Sequence, residues 1–167
     1  KFLRNARNKP WYKNTVFIIM ADHCASSAGK WELDVANYRI PAILVNFDGL
    51  EQQKINIQCS QIDVMPTVFS LMGWEYKNNF FGRNVFALDS SEQRAFIGNY
   101  RKLGLLKSKA LMVLGDGKTA IQYQWDPEEN SLKKSPMDTL FLNEAISYYQ
   151  VADFLYNHGG LNSNLGL

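Results

Sequence analysis

A carboxylate beside an imidazole, Asp22-His23, closes the run Thr15-Val16-Phe17-Ile18-Ile19-Met20-Ala21. Both side chains are hard or borderline donors, so the pair is suited to ligating a divalent metal. A purely local reading also fits, in which Asp22 caps the following turn and His23 hydrogen-bonds nearby. The residues that follow, Cys24 to Gly29, are small enough to turn tightly and let a ligand approach. The β-branched run ahead of the pair reads as a strand buried on both faces. In parallel α/β sheets, ligands bind beyond the carboxyl ends of such strands.

The elements that must position this pair can be read along the chain. Residues 1–13 look like the end of a helix, stopped by Pro10 and a turn at Asn14. A second strand runs from Ala42 to Phe47, entered through Pro41 and closed by Asp48-Gly49. Ser60 is a candidate N-cap, and Ile62, Met65, Val68, Phe69 and Met72 recur at helical spacing up to Gly73. Gln61 and Asp63 fall at that helix's N-terminus, where the carboxylate meets the helix dipole.

After Phe80 the texture changes to short apolar runs at 95–100, 110–114 and 119–125. Gly115-Asp116-Gly117 between the last two is a hairpin signal. The alternation of Ile121, Tyr123 and Trp125 with Gln122 and Gln124 predicts an antiparallel sheet with one covered face. Residues 138–157 return to helical spacing, ended by Gly159-Gly160, with His158 as a C-terminal cap and 161–167 as a tail. Tyr148, Tyr149 and Trp125 read as core. The fold class is therefore α/β, with parallel strands followed by a small antiparallel sheet and a closing helix. Two parallel strands and one loop do not make a doubly wound sheet, so further strands are expected ahead of Lys1.

Composition narrows the function classes. The 167 residues are 46% hydrophobic and 20% charged, which is globular, with a net charge of +2. That near-balance gives no support for nucleic-acid binding. No apolar run reaches the ~18 residues of a membrane span. Cys24 and Cys59 could pair or stay free, and two cysteines make no disulfide framework.

Several strings together resemble a known family. NTVFIIMADH (14–23), YRIPAILV (38–45), SQIDVMPTVFSLMGW (60–74), FFGRNVF (80–86) and NEAISYYQVADFLY (143–156) are similar, in order, to the C-terminal part of the lipoteichoic acid synthase/sulfatase family. That family belongs to the alkaline phosphatase superfamily. ADHCASSAGK and RAFIGNYRKLG resemble its Bacteroides-like branch. The resemblance implies that residues 1–160 are the C-terminal portion of a sulfatase-like catalytic domain with a three-layer fold.

By that resemblance, Asp22 and His23 match the family's Asp-His pair for one divalent metal, Mn²⁺ foremost, with Ca²⁺ or Zn²⁺ as alternatives. The acidic ligand and the nucleophile lie upstream in the family, so no catalytic residue is assigned within this chain. Thr15 opens a strand and Thr67 lies inside a helix; neither matches the nucleophile's surroundings. Lys30 matches a lysine that reaches sulfate or phosphate oxygens in relatives, although a solvated loop lysine is the alternative. Ser26 and Ser27 are further candidates for anion contact, and Arg39 for packing or a salt bridge. Asp63 and Pro66 resemble a structural DxxPT signature.

The implied activity is metal-dependent transfer or hydrolysis of a phosphate or sulfate ester. A metal lowers the pKa of a bound hydroxyl and neutralises charge on the transferring oxyanion. A phosphoglycerol transferase acting on a phospholipid head group is the first reading. The alternatives are a sulfatase acting on sulfated glycans, or an inactive relative that only binds. The implied setting is the periplasmic or extracellular face of the bacterial inner membrane, with membrane contact only through an N-terminal region ahead of this chain. Alone, residues 1–167 are expected to be inactive.

Overall fold

The computed structural model describes residues 1–24, 33–77, 79 and 81–161. The chain opens on a short helix, α1 (Phe2–Ala6), followed by a 3₁₀ turn at Tyr12–Asn14. Strand β1 (Phe17–Met20) then pairs with β2 (Ala42–Val45). After the 3₁₀ turn Gln61–Asp63 comes α2 (Val64–Leu71). Five strands follow: β3 (Ala95–Gly98), β4 (Leu103–Lys107), β5 (Ala110–Gly115), β6 (Thr119–Asp126) and β7 (Ser131–Lys134). They form an antiparallel meander in sequence order, and α3 (Thr139–Asn157) closes the chain.

The β1–β2 pair is antiparallel, which corrects the expectation of parallel strands. The reason lies in the connection between them. Leu33 and Val35 are buried against Ile97, Leu106, Leu111 and Val113 of the five-stranded sheet. Asn130, in the β6–β7 turn, donates from Nδ2 to Asp34 Oδ1 at 2.6 Å and accepts Ala36 N–H at 3.3 Å. The connection is thus fastened beyond the end of β1 and re-enters opposite Met20, which pairs with Ala42. Crossing back to the start of β1 would need a helical crossover along the sheet, and the described part of this connection holds only one 3₁₀ turn, Val35–Tyr38.

The expectation that β1 is buried on both faces also fails in this chain. Ile18 and Ile19 point to opposite sides and are 36% and 42% exposed; Ile43 across from them is 53% exposed. What does pack is Phe17, with Phe2, Trp11 and Tyr12 around its ring at centroid distances of 5.5–6.3 Å. Asn46, in the left-handed region at φ 70°, ends β2 two residues early. Its carboxamide donates to the carbonyls of Tyr12 and Thr15, tying the strand pair to the N-terminal turn.

The five-stranded sheet is covered on both faces, not one. Leu105 and Met112 face Phe141 and Ala145 of α3, while Leu106, Leu111 and Val113 face the 33–38 connection. Alternation in β6 suggests a wet face, but strands β4 and β5 of the same sheet each bury three residues in succession. Strands β4 and β7 escaped the sequence reading. Gly104 looks like a turn residue, and Leu132-Lys133-Lys134 is too short and charged to read as apolar.

Helix α3 begins where the spacing places it. Asp138 caps it, accepting the N–H groups of Leu140 and Phe141 at 2.9 and 3.2 Å. Gly160 N–H returns to the Leu155 carbonyl at 2.8 Å across left-handed Gly159, which stops the helix. His158 serves as the expected cap, its Nδ1 2.8 Å from the Phe154 carbonyl and its ring stacked on Phe154. Among the described residues no helix is long and apolar enough to cross a membrane.

Candidate metal centre

Asp22 and His23 sit just past the carboxyl end of β1, where the ladder to β2 has stopped. Both side chains are open, with 87% and 77% of their surfaces exposed. The local hydrogen bonds anticipated by the plain reading are present. His23 N–H donates to Asp22 Oδ1 at 2.9 Å, and His23 Nδ1 lies 2.7 Å from the Cys24 carbonyl. A carbonyl only accepts, so Nδ1 is the donor in this contact and Nε2 points away from it.

That arrangement leaves Asp22 Oδ2 and His23 Nε2 outside these backbone contacts. His23 Nε2 and Asp22 Oδ2 are 3.6 Å apart. Nitrogen and oxygen ligands on one ion at ~2.0–2.2 Å lie roughly 2.8–3.1 Å apart at octahedral angles and roughly 3.3–3.6 Å apart at tetrahedral ones. The pair therefore fits a shared divalent ion. The Nδ1 contact to the Cys24 carbonyl is of the kind that fixes ring orientation in metal-bound histidines. Local capping and metal ligation are compatible, since they use different atoms.

Two ligands do not enclose an ion, and a catalytic site of this type needs at least three. Among the described residues no group of three His, Cys, Asp or Glu side chains converges. Lys30, Ser26 and Ser27 lie outside the described residues. Arg39 is exposed at the end of the 3₁₀ turn Val35–Tyr38. Cys24 and Cys59 are both free thiols. Neither tempting threonine is placed as a nucleophile. Thr15 Oγ1 donates to the Trp11 carbonyl at 2.8 Å. Thr67 is buried, donating to the Asp63 carbonyl at 2.7 Å and accepting Val85 N–H at 3.1 Å.

The structure adds residues that spacing could not connect. Gln61 Nε2 donates to the carbonyls of Ala21 and Asp22, each at 3.2 Å, so the 3₁₀ turn before α2 touches the backbone of the Asp-His pair. Beneath that turn Asp63 is fully buried and receives Arg94 through two bonds, Nη1 to Oδ2 at 2.7 Å and Nη2 to Oδ1 at 3.0 Å. Its oxygens also accept Ser60 N–H and Arg83 N–H, both at 2.8 Å. Arg94 is 1% exposed, donates on to the Phe81 carbonyl at 2.7 Å and lies 4.8 Å from the Phe96 ring centroid. Burial pulls the Arg94 pKa down, but the hydrogen bonds and charge of Asp63 outweigh it and the net shift is upward.

Asp63 thus sits at the helix N-terminus, as anticipated, but its main partner is Arg94, 31 positions away. No local pattern around Arg94 marks it, since a lone arginine before a strand usually reads as solvated. Tyr148, Tyr149 and Trp125 are structural as expected. Tyr148 Oη accepts from Arg83 and its ring meets Phe96 at 4.9 Å. Tyr149 donates to the Gly104 carbonyl at 2.8 Å, and Trp125 donates to Asn130.

Comparison with known proteins gives two findings. Residues 1–74 match the Sulfatase family model. Over 98% of its length the chain is similar, at 26% identity and a TM-score of 0.90, to the crystal structure of a protein in the alkaline phosphatase superfamily from Vibrio parahaemolyticus. The match covers 40% of that protein, so this chain spans well under half of it. Both findings support a family of phosphate- or sulfate-ester hydrolases and transferases, on an alkaline-phosphatase-like α/β fold.

Proposed function

We propose that this chain supplies part of the metal centre of a phosphoglycerol transferase or sulfatase-like enzyme. The observation that carries the reading is the 3.6 Å approach of Asp22 Oδ2 to His23 Nε2 at a strand end. Asp22 and His23 hold one divalent ion, Mn²⁺ foremost, with Ca²⁺ or Zn²⁺ as alternatives. Such an ion neutralises negative charge on the transferring phosphoryl or sulfuryl oxygens. The Cys24 carbonyl holds the His23 ring by Nδ1 and leaves Nε2 to bind, and Asp22 Oδ1, occupied by His23 N–H, leaves Oδ2.

The remaining acidic ligand and the nucleophile come from sequence ahead of Lys1. The open apolar faces of β1 and β2, with Ile18, Ile19 and Ile43, are where we place the covering layers of the rest of the catalytic domain. Lys30 is assigned to the substrate's anionic oxygens. The substrate is a phospholipid head group passed to an acceptor, in a lipoteichoic acid synthase-like enzyme of the Bacteroides-like branch, anchored on the periplasmic or extracellular face of the inner membrane. The Sulfatase match over residues 1–74 favours one second reading, hydrolysis of a sulfated glycan. Release of diacylglycerol from phosphatidylglycerol against hydrolysis of p-nitrophenyl sulfate separates the two.

The test of the centre itself is metal content. In the full-length protein, Asp22→Ala and His23→Ala should each abolish stoichiometric uptake of Mn²⁺, measured by plasma mass spectrometry after gel filtration, with circular dichroism unchanged. Full metal occupancy in both folded variants removes the assignment.

A further inference from the structure

We infer that Gln61 is a positioning residue for the Asp22-His23 pair, holding by its carboxamide the strand end from which both ligand atoms project. This rests on the reading of the pair as metal ligands. Strand β1 stops at Met20, so the carbonyls of Ala21 and Asp22 lie beyond the last ladder pair, Met20 with Ala42. Both are taken up by one nitrogen, Gln61 Nε2, at 3.2 Å each, across 40 and 39 residues of sequence. A carboxamide nitrogen has two protons, enough to serve both carbonyls.

The plain alternative is a solvated glutamine, since the residue is exposed. Ordering a long exposed side chain costs rotamer entropy, and a solvated one has no reason to hold two distant carbonyls. Gln61 also stands on a rigid base. Its turn is fastened through Asp63, whose carboxylate accepts four hydrogen bonds from Ser60, Arg83 and Arg94 while fully buried. Rigidity at Arg94–Asp63 is thereby transmitted through one side chain to the two peptides that aim Asp22 and His23. The carbonyl of Asp22 and the N–H of His23 belong to one peptide plane. Fixing the first therefore fixes the second, which donates to Asp22 Oδ1. Contacts of this outer kind typically change metal affinity by about 10–100-fold when removed.

The experiment is Mn²⁺ titration of the full-length protein by electron paramagnetic resonance, comparing wild type, Gln61→Met, Gln61→Glu and Asp22→Ala. Gln61→Met keeps the side-chain shape and loses both donors; Gln61→Glu sets carboxylate oxygens against two carbonyl oxygens. The Mn²⁺ dissociation constant should rise about 10-fold or more in Gln61→Met and further in Gln61→Glu. The urea midpoint of the metal-free Gln61→Met protein should stay at the wild-type value, which separates positioning from folding. Wild-type affinity in Gln61→Met, with binding lost in Asp22→Ala, overturns the role of Gln61 and leaves the metal centre standing. Mn²⁺ binding that survives Asp22→Ala overturns both. If Gln61→Glu folds poorly, Gln61→Met decides alone.

Discussion

Replacing Arg94 with Met tests the buried base of the site most severely. The side chain is 1% exposed and Asp63 is fully buried, so the change leaves a carboxylate in the interior with only the N–H groups of Ser60 and Arg83. Removing one partner of a buried pair costs about 3–5 kcal/mol, against the 5–15 kcal/mol that holds a typical domain together. Asp63→Asn strands the guanidinium instead and should cost a similar amount. In the double variant Arg94→Met/Asp63→Asn no charge is buried. One of the two backbone N–H groups then faces an amide NH₂ and is unsatisfied, at about 1–3 kcal/mol. The double variant should therefore be more stable than either single one. With a urea m-value of about 2 kcal/mol/M, the singles lose roughly 2 M in midpoint and the double about 1 M, at constant m. Equilibrium urea unfolding followed by fluorescence and circular dichroism reads this directly. Additive losses, or singles that lose less than about 1 kcal/mol, would refute the reasoning, because the pair would then behave as an exposed one.

Two further predictions concern other parts of the frame. Burial pushes the Tyr149 phenol up to about 12, whereas the unfolded phenol titrates near 10. The neutral form is favoured on folding, so this contribution is complete below pH 10 and is lost as pH rises towards 12. It amounts to about 3 kcal/mol at most; Tyr149→Phe should flatten the fall in urea midpoint across that window, and an unchanged slope would discount the residue. Gly82 backs onto the turn that carries Gln61: a Cβ there would lie 2.1 Å from the Ile62 carbonyl oxygen and 3.0 Å from Pro66 Cγ. Gly82→Ala should thus destabilise by about 1–3 kcal/mol or more and weaken Mn²⁺ uptake with it, and a wild-type midpoint would show that the turn has room to shift.

Sequence alone determined what is local in this protein. The β-branched run up to Asp22-His23, the capped 20-residue spacing that became α3, and the Gly-Asp-Gly hairpin all follow from periodicities and turn chemistry acting over a few residues. The family resemblance, too, was carried by short strings in order. What sequence left undecided depends on partners far along the chain. The antiparallel sense of β1 and β2 follows from Leu33 and Val35 docking on the other sheet, and nothing in residues 21–41 encodes that destination. The second covered face of the five-stranded sheet required knowing that α3 lies on one side and the 33–38 connection on the other. The pairing of Asp63 with Arg94 and the reach of Gln61 to the carbonyls of Ala21 and Asp22 span 31 to 40 residues. A hydrogen bond is specified by position in space, and only the packed core brings those groups within 3.2 Å of one another.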